Sequence, residues 1–166
     1  MKKILAYGSM FLMMVMAAVS VSAAGTDFSG TWKLDASKST LPQGPGGGGG
    51  GGEITLDVKQ DAKTLTAVRK TARGEQITTY NLDGSETTSK MTGRMEGTST
   101  HKAKWQGDGK ILEINTVSKL SMQGQEFEIT AQAHWELADG GKTLKIHTKR
   151  TTPRGEQEST EVYAKQ

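Results

Sequence analysis

The chain is 166 residues long, with 21 Lys and Arg, 18 Asp and Glu, three His and no Cys. The lack of Cys excludes a disulfide framework and a thiol nucleophile, and the length suits one domain built around one core. Without Lys2 and Lys3, which belong to the leader described next, the balance is 19 basic against 18 acidic residues, so the charge carries no footprint of nucleic-acid binding.

Lys2 and Lys3 stand before an uninterrupted apolar run, Phe11 to Val19, and Val21-Ser22-Ala23 then offers the small residues that a signal peptidase reads. This pattern predicts a signal peptide over 1–23, cut after residue 23 or 24. The run is shorter than the roughly 20 residues a bilayer span needs, so no integral membrane segment is expected after cleavage. A lipobox is excluded with the missing Cys. The short Lys-Lys leader reads as bacterial, which predicts a periplasmic or secreted product in which 24–166 form a single domain.

From Phe28 onward apolar and polar residues alternate, and Thr, Val and Ile are frequent, which is the two-residue period of half-buried strands. The pattern predicts strands over 28–35, 53–60, 64–71, 75–82, 85–92, 95–105, 110–119, 124–137, 143–151 and 157–165, with no substantial helix outside the leader. Between the first two strands Pro42-Gln43-Gly44-Pro45 leads into seven glycines, Gly46 to Gly52. The Lys-Ser/Thr of a phosphate loop does not follow, so 42–52 reads as a flexible loop. Asp83-Gly84 and Asp108-Gly109 each suit a two-residue hairpin, and Asp139-Gly140-Gly141 a slightly longer one. A turn at Asp108-Gly109 sets Trp105 opposite Leu112, Ala103 opposite Ile114 and His101 opposite Thr116. Arg73-Gly74-Glu75-Gln76 recurs as Arg154-Gly155-Glu156-Gln157, which similar turns account for. Consecutive hairpins make an antiparallel meander, too short for a propeller. Closing it into an up-and-down barrel of eight to ten strands would remove its edges.

The opening strand, Phe28-Ser29-Gly30-Thr31-Trp32-Lys33-Leu34, resembles that of the calycin barrels. Gly30-Thr31-Trp32 is similar to the lipocalin Gly-x-Trp, and the whole stretch to the Phe-x-Gly-Thr-Trp-Lys-Leu of fatty-acid-binding proteins. The final strand resembles theirs as well, with Tyr163 at the tyrosine of an Arg-x-Tyr that grips a carboxylate inside the barrel. Glu161 stands where the arginine would be. The glycine loop replaces the helical lid of fatty-acid-binding proteins, and no C-terminal helix of the lipocalin kind follows. The overall likeness is to lipocalin-like exported bacterial proteins. It implies a calycin-like barrel that binds a small, hydrophobic ligand without catalysing a reaction, and it implies no cofactor.

Alternation places Arg69, His101, Trp105 and Arg150 on inward faces, the resemblance of the final strand implies the same for Tyr163, and these five are the candidate ligand-binding residues. A buried guanidinium needs a counter-ion, water or an anionic ligand, and Glu161 is the expected partner of Arg150. The alternative leaves both arginines in water at the rim. His134 and His147 fall on the outer face as diagonal neighbours. They are too few for a tetrahedral metal site, and no metal is expected. Small inward residues (Thr, Ala, Ser) leave space for water or ligand. No Gly-x-Ser-x-Gly elbow or inward carboxylate pair marks an enzyme, so no catalytic residue is assigned. Two other functions stay open: an envelope interaction module whose barrel is filled by side chains, and a lipocalin-like isomerase that uses His101 with Glu161 or Tyr163.

Overall fold

The computed structural model describes residues 25–41, 52–92 and 96–166. The signal peptide expected over 1–23 and the glycine-rich loop up to residue 51 lie outside the described residues. Ten strands follow one another: β1 (Gly30–Leu34), β2 (Thr55–Gln60), β3 (Thr64–Thr71), β4 (Gly74–Asn81), β5 (Glu86–Met91), β6 (Glu96–Gln106), β7 (Ile111–Met122), β8 (Gln125–Ala138), β9 (Thr143–Thr152) and β10 (Gly155–Lys165). Each predicted strand is present, with ends displaced by three residues at most. Among the described residues the sole helical element is a 3-10 turn at Asp139–Gly141.

The strands form one antiparallel sheet in the order β4-β3-β2-β1-β10-β9-β8-β7-β6-β5. Neighbours in sequence pair antiparallel, β4 and β5 excepted, and β1 adds the long-range link, with Trp32 opposite Leu56 of β2 and Lys165 of β10. The register at the β6–β7 turn is the expected one, Trp105 opposite Leu112 and His101 opposite Thr116. Asp108 and Gly109 take φ of 57° and 83°, the positive values a type I′ turn demands of both central residues. Lys110 N–H donates to Gly107 O at 3.2 Å to close it.

Asp83-Gly84 departs from expectation. Of that pair only Gly84 takes a positive φ, and β4 and β5 share no ladder but form the two ends of the sheet. The Asp83 carboxylate instead accepts from the backbone N–H and the hydroxyl of Ser85, at 2.8 and 2.6 Å. Leu82 N–H meanwhile donates to Lys63 O, which holds the end of β4 against the start of β3. The connection is thus an Asx-type turn that lets the strands part. The barrel is nearly closed, and its seam lies between β4 and β5.

Because alternate residues face inward, side-chain volume along each strand decides what fills the interior. At one end lie Trp105, Leu112 and Trp135, brought to one level by register, with the Leu137–Leu144 pair next to them. Residues 25–29 cross beneath them. Phe28, fully buried, stacks on Trp105 at 5.9 Å and meets Trp135 edge-on at 5.9 Å. Among the bonds that fasten this segment are Thr26 N–H to Gly109 O at 2.7 Å, Gln60 Nε2 to Thr26 O at 2.9 Å, and Phe28 N–H to Gln60 Oε1 at 3.1 Å. Trp32 Nε1 donates to Phe28 O at 2.9 Å, so the buried indole is satisfied as well. Replacing Phe28 by Ala is expected to cost about 3–5 kcal/mol in equilibrium denaturation, the usual range for emptying a buried aromatic site.

Candidate functional site in the open half of the barrel

Toward the other end the inward side chains become small and polar. Along β6 the series runs Trp105, Ala103, His101, Ser99, Gly97, and along β7 Leu112, Ile114, Thr116, Ser118, Leu120. A cavity of about 700 Å³ opens here. Its apolar wall includes Leu56, Ala67, Tyr80, Ile129, Trp135 and Ile146, and hydroxyls of Ser89, Ser99, Thr116, Ser118, Thr148 and Ser159 line the remainder with several charged groups. The hydroxyls are partly spoken for: Ser99 and Ser118 share a hydrogen bond of 2.7 Å.

Arg69, Glu161 and Tyr163 meet inside this cavity. Arg69 Nη1 and Nη2 each donate to one Glu161 oxygen at 2.8 Å, a bidentate pair. Arg69 Nη1 also donates to Tyr163 Oη at 2.7 Å, and the Tyr163 hydroxyl donates to Glu161 Oε2 at 2.8 Å. The side chains of Arg69 and Glu161 are 27% and 17% exposed, and Tyr163 is fully buried. Burial works against the Arg69 charge, but hydrogen bonding and attraction to Glu161 outweigh it and hold the guanidinium above its ordinary value. Burial first, then the Glu161 carboxylate, pushes the Tyr163 hydroxyl far up, so it stays a neutral donor.

This pairing corrects the expected one. Glu161 is the partner of Arg69, not of Arg150, whose register neighbours are Gln157 and Ala131. The reason is closure. Glu161 sits opposite Ile146 on β9, two inward positions from Arg150, while the β1–β10 link brings the far end of β3 within reach of β10. Arg69 is half-buried in the triad, and Arg150 is exposed at the cavity mouth.

His101 lies in the cavity wall, buried, with Nε2 2.9 Å from Ser89 Oγ and Nδ1 3.0 Å from Thr116 Oγ1. Burial lowers its pKa, which keeps the ring neutral at pH 7. Tyr80, which the sequence reading did not single out, packs edge-on against His101 at 5.4 Å and Trp135 at 6.3 Å. Trp105 is placed elsewhere: it is half-buried at the closed end against Phe28 and does not line the cavity. Of the five candidates, the structure therefore brings Arg69, His101, Arg150 and Tyr163 around one space. On the outer face His134 and His147 are directly opposite rather than diagonal, and they contact Glu113 at 3.2 Å and Thr160 at 3.1 Å.

The sequence matches no family model and no curated protein. Solved structures match well in shape. REP1-NXSQ fatty acid transporter aligns over 83% of this chain and 95% of its own, with TM-score 0.55 and 15% identity. Zebrafish ileal bile acid-binding protein, solved with cholic acid, aligns over 84% and 98%, with TM-score 0.58 and 14% identity. A heat-soluble (SAHS) protein from Ramazzottius varieornatus aligns over 87% and 98%, with TM-score 0.55 and 13% identity. The chain has the calycin-like barrel fold, and at such identities the likeness is one of fold.

Two outcomes test the site. Arg69→Ala leaves the Glu161 charge unpaired and is expected to cost about 3 kcal/mol, the lower end for a buried pair because both groups keep some water. The double change Arg69→Met with Glu161→Leu should recover most of that loss in denaturation experiments. Burial pushes the Tyr80 hydroxyl up to about 12 from an ordinary 10.0. The unfolded chain therefore gives up this proton first. The stability that the neutral phenol contributes is complete below pH 10 and is lost as pH rises toward 12. Phenolate absorbance, read as the difference between the protein and its Tyr80→Phe variant, should rise only near pH 12 in the folded state.

Proposed function

We propose that the protein is an exported, non-catalytic carrier that binds a small amphipathic molecule, largely apolar in its body, within the open half of the barrel. The observation that carries this reading is the cavity of about 700 Å³, a size typical of small-molecule sites, in a fold whose other half is tightly packed. Its apolar wall suits a hydrocarbon or ring body. The hydroxyl rows give fixed hydrogen-bonding positions that a plain alkane would leave unmet. Solved barrels of the same shape include a fatty acid transporter and a protein complexed with cholic acid, which supports a ligand of this class. The leader over 1–23 supports export to the periplasm or beyond. An interaction module with a filled interior fits less well, since such a barrel has no use for small inward residues at Ser99, Thr116 and Ala131.

Native mass spectrometry of the exported protein, purified without detergent, tests the reading. A bound species of small-molecule mass that solvent extraction removes supports it. The Ala131→Phe variant should keep the strand spectrum in circular dichroism and lose that species, because the new ring occupies the cavity. Retention of equal ligand by the variant would place the ligand outside the barrel and overturn the proposal.

A further inference from the structure

Two of the hairpin turns at the open end of the barrel share one motif. Arg69-Lys70-Thr71-Ala72-Arg73-Gly74-Glu75-Gln76 joins β3 to β4, and Arg150-Thr151-Thr152-Pro153-Arg154-Gly155-Glu156-Gln157 joins β9 to β10. The likeness extends to the bonds. Thr71 Oγ1 donates to Gly74 O at 3.2 Å and accepts from Arg73 N–H at 3.1 Å, while Thr152 Oγ1 donates to Gly155 O at 3.0 Å and accepts from Arg154 N–H at 3.2 Å. In each hairpin the first arginine stands opposite the last glutamine, Arg69 with Gln76 and Arg150 with Gln157, and all four line the cavity. The mouth thus carries two equivalent guanidinium positions.

Their electrostatic states differ. Glu161 and Tyr163 take three of the five N–H donors of Arg69, and the Glu161 carboxylate already neutralises its charge. A ligand anion that displaced Glu161 would leave a mostly buried carboxylate unpaired. Arg150 has no ion pair and no side-chain hydrogen bond among the described residues. Of the other charged groups that line the cavity, Lys90 is likewise without an ion pair, and Glu75 lies 4.0 Å from Lys70. The uncompensated charge at the mouth is therefore positive, and its guanidinium belongs to Arg150.

We infer that Arg150 is the anchor for an anionic group, a carboxylate or sulfonate, on the ligand of the proposed carrier, which enters body first and keeps its head at the mouth. This rests on the carrier reading and adds the charge and the orientation of what is carried. An anion at the mouth keeps part of its hydration, so it needs one guanidinium and not a buried cluster, and the planar fork suits a carboxylate. The internal Arg69–Glu161–Tyr163 triad then serves as a closed ion pair in the wall.

The test uses dansylaminoundecanoate and its uncharged methyl ester as fluorescent probes, titrated into the protein and into Arg150→Gln. Arg150 is exposed and unbonded, so the variant should fold normally, with circular dichroism as the check. The expected result is that the variant binds the carboxylate about fivefold or more weakly and the ester within about twofold of the parent, and that added salt weakens only the parent's grip on the carboxylate. Equal effects on both probes, or none on the carboxylate, would overturn the inference while leaving the carrier reading standing. If the parent binds neither probe, the carrier reading fails with it.

Discussion

Phe28 holds the closed end of this barrel, and the rest of the interior depends on that plug. It does not belong to a strand. It sits in the extended segment before β1, pinned by the Gln60 amide, and its ring fills the space between Trp105 and Trp135. A ten-stranded barrel is too wide to be filled by its own strands when many inward residues are Ser, Thr and Ala. Concentrating the aromatic volume at one end satisfies the core there and frees the other end for a cavity. The same segment feeds directly into β1, whose pairing with β10 joins the first half of the meander to the second.

The cavity is consequently bounded below by packed rings and above by hairpin turns. Its walls combine two chemistries. Hydroxyls bond to one another or to His101, so the polar surface is pre-arranged and costs little to present. The Arg69–Glu161 pair inside neutralises itself. Glu161 supplies to Arg69 what a bound carboxylate would otherwise supply, and Tyr163 bridges the two. The polar interior therefore does not call for an ion at its centre, and the open charge is displaced to the mouth.

The seam between β4 and β5 is the counterpart of this arrangement. Asp83 and Ser85 bond to each other where a type I′ turn would have drawn the strands together. The exchange gives up a ladder and leaves two strand edges beside the cavity. Edge strands invite pairing with other chains, and β5 blunts its own with Glu86 and Lys90, while β4 carries Glu75.

Strand positions and the β6–β7 register were legible in the sequence, because alternation and local turn chemistry act over a few residues. Trp105 opposite Leu112 follows from Asp108-Gly109 alone. The inward placement of Arg69, His101 and Arg150 was legible for the same reason, since a period of two assigns faces without knowing which strands meet, whereas Glu161 and Tyr163 were placed by the likeness of the final strand. Partners across the barrel were not. That Arg69 belongs to Glu161, that Trp105 packs beneath Phe28 away from the cavity, and that Asp83-Gly84 opens a seam all depend on closure between β1 and β10. Closure joins residues 92 positions apart, as in the Arg69–Glu161 bond. Local sequence set the faces, and only the tertiary structure decided which faces look at each other, because a charge pair or a ring stack is fixed by distance across the interior and not by spacing along the chain.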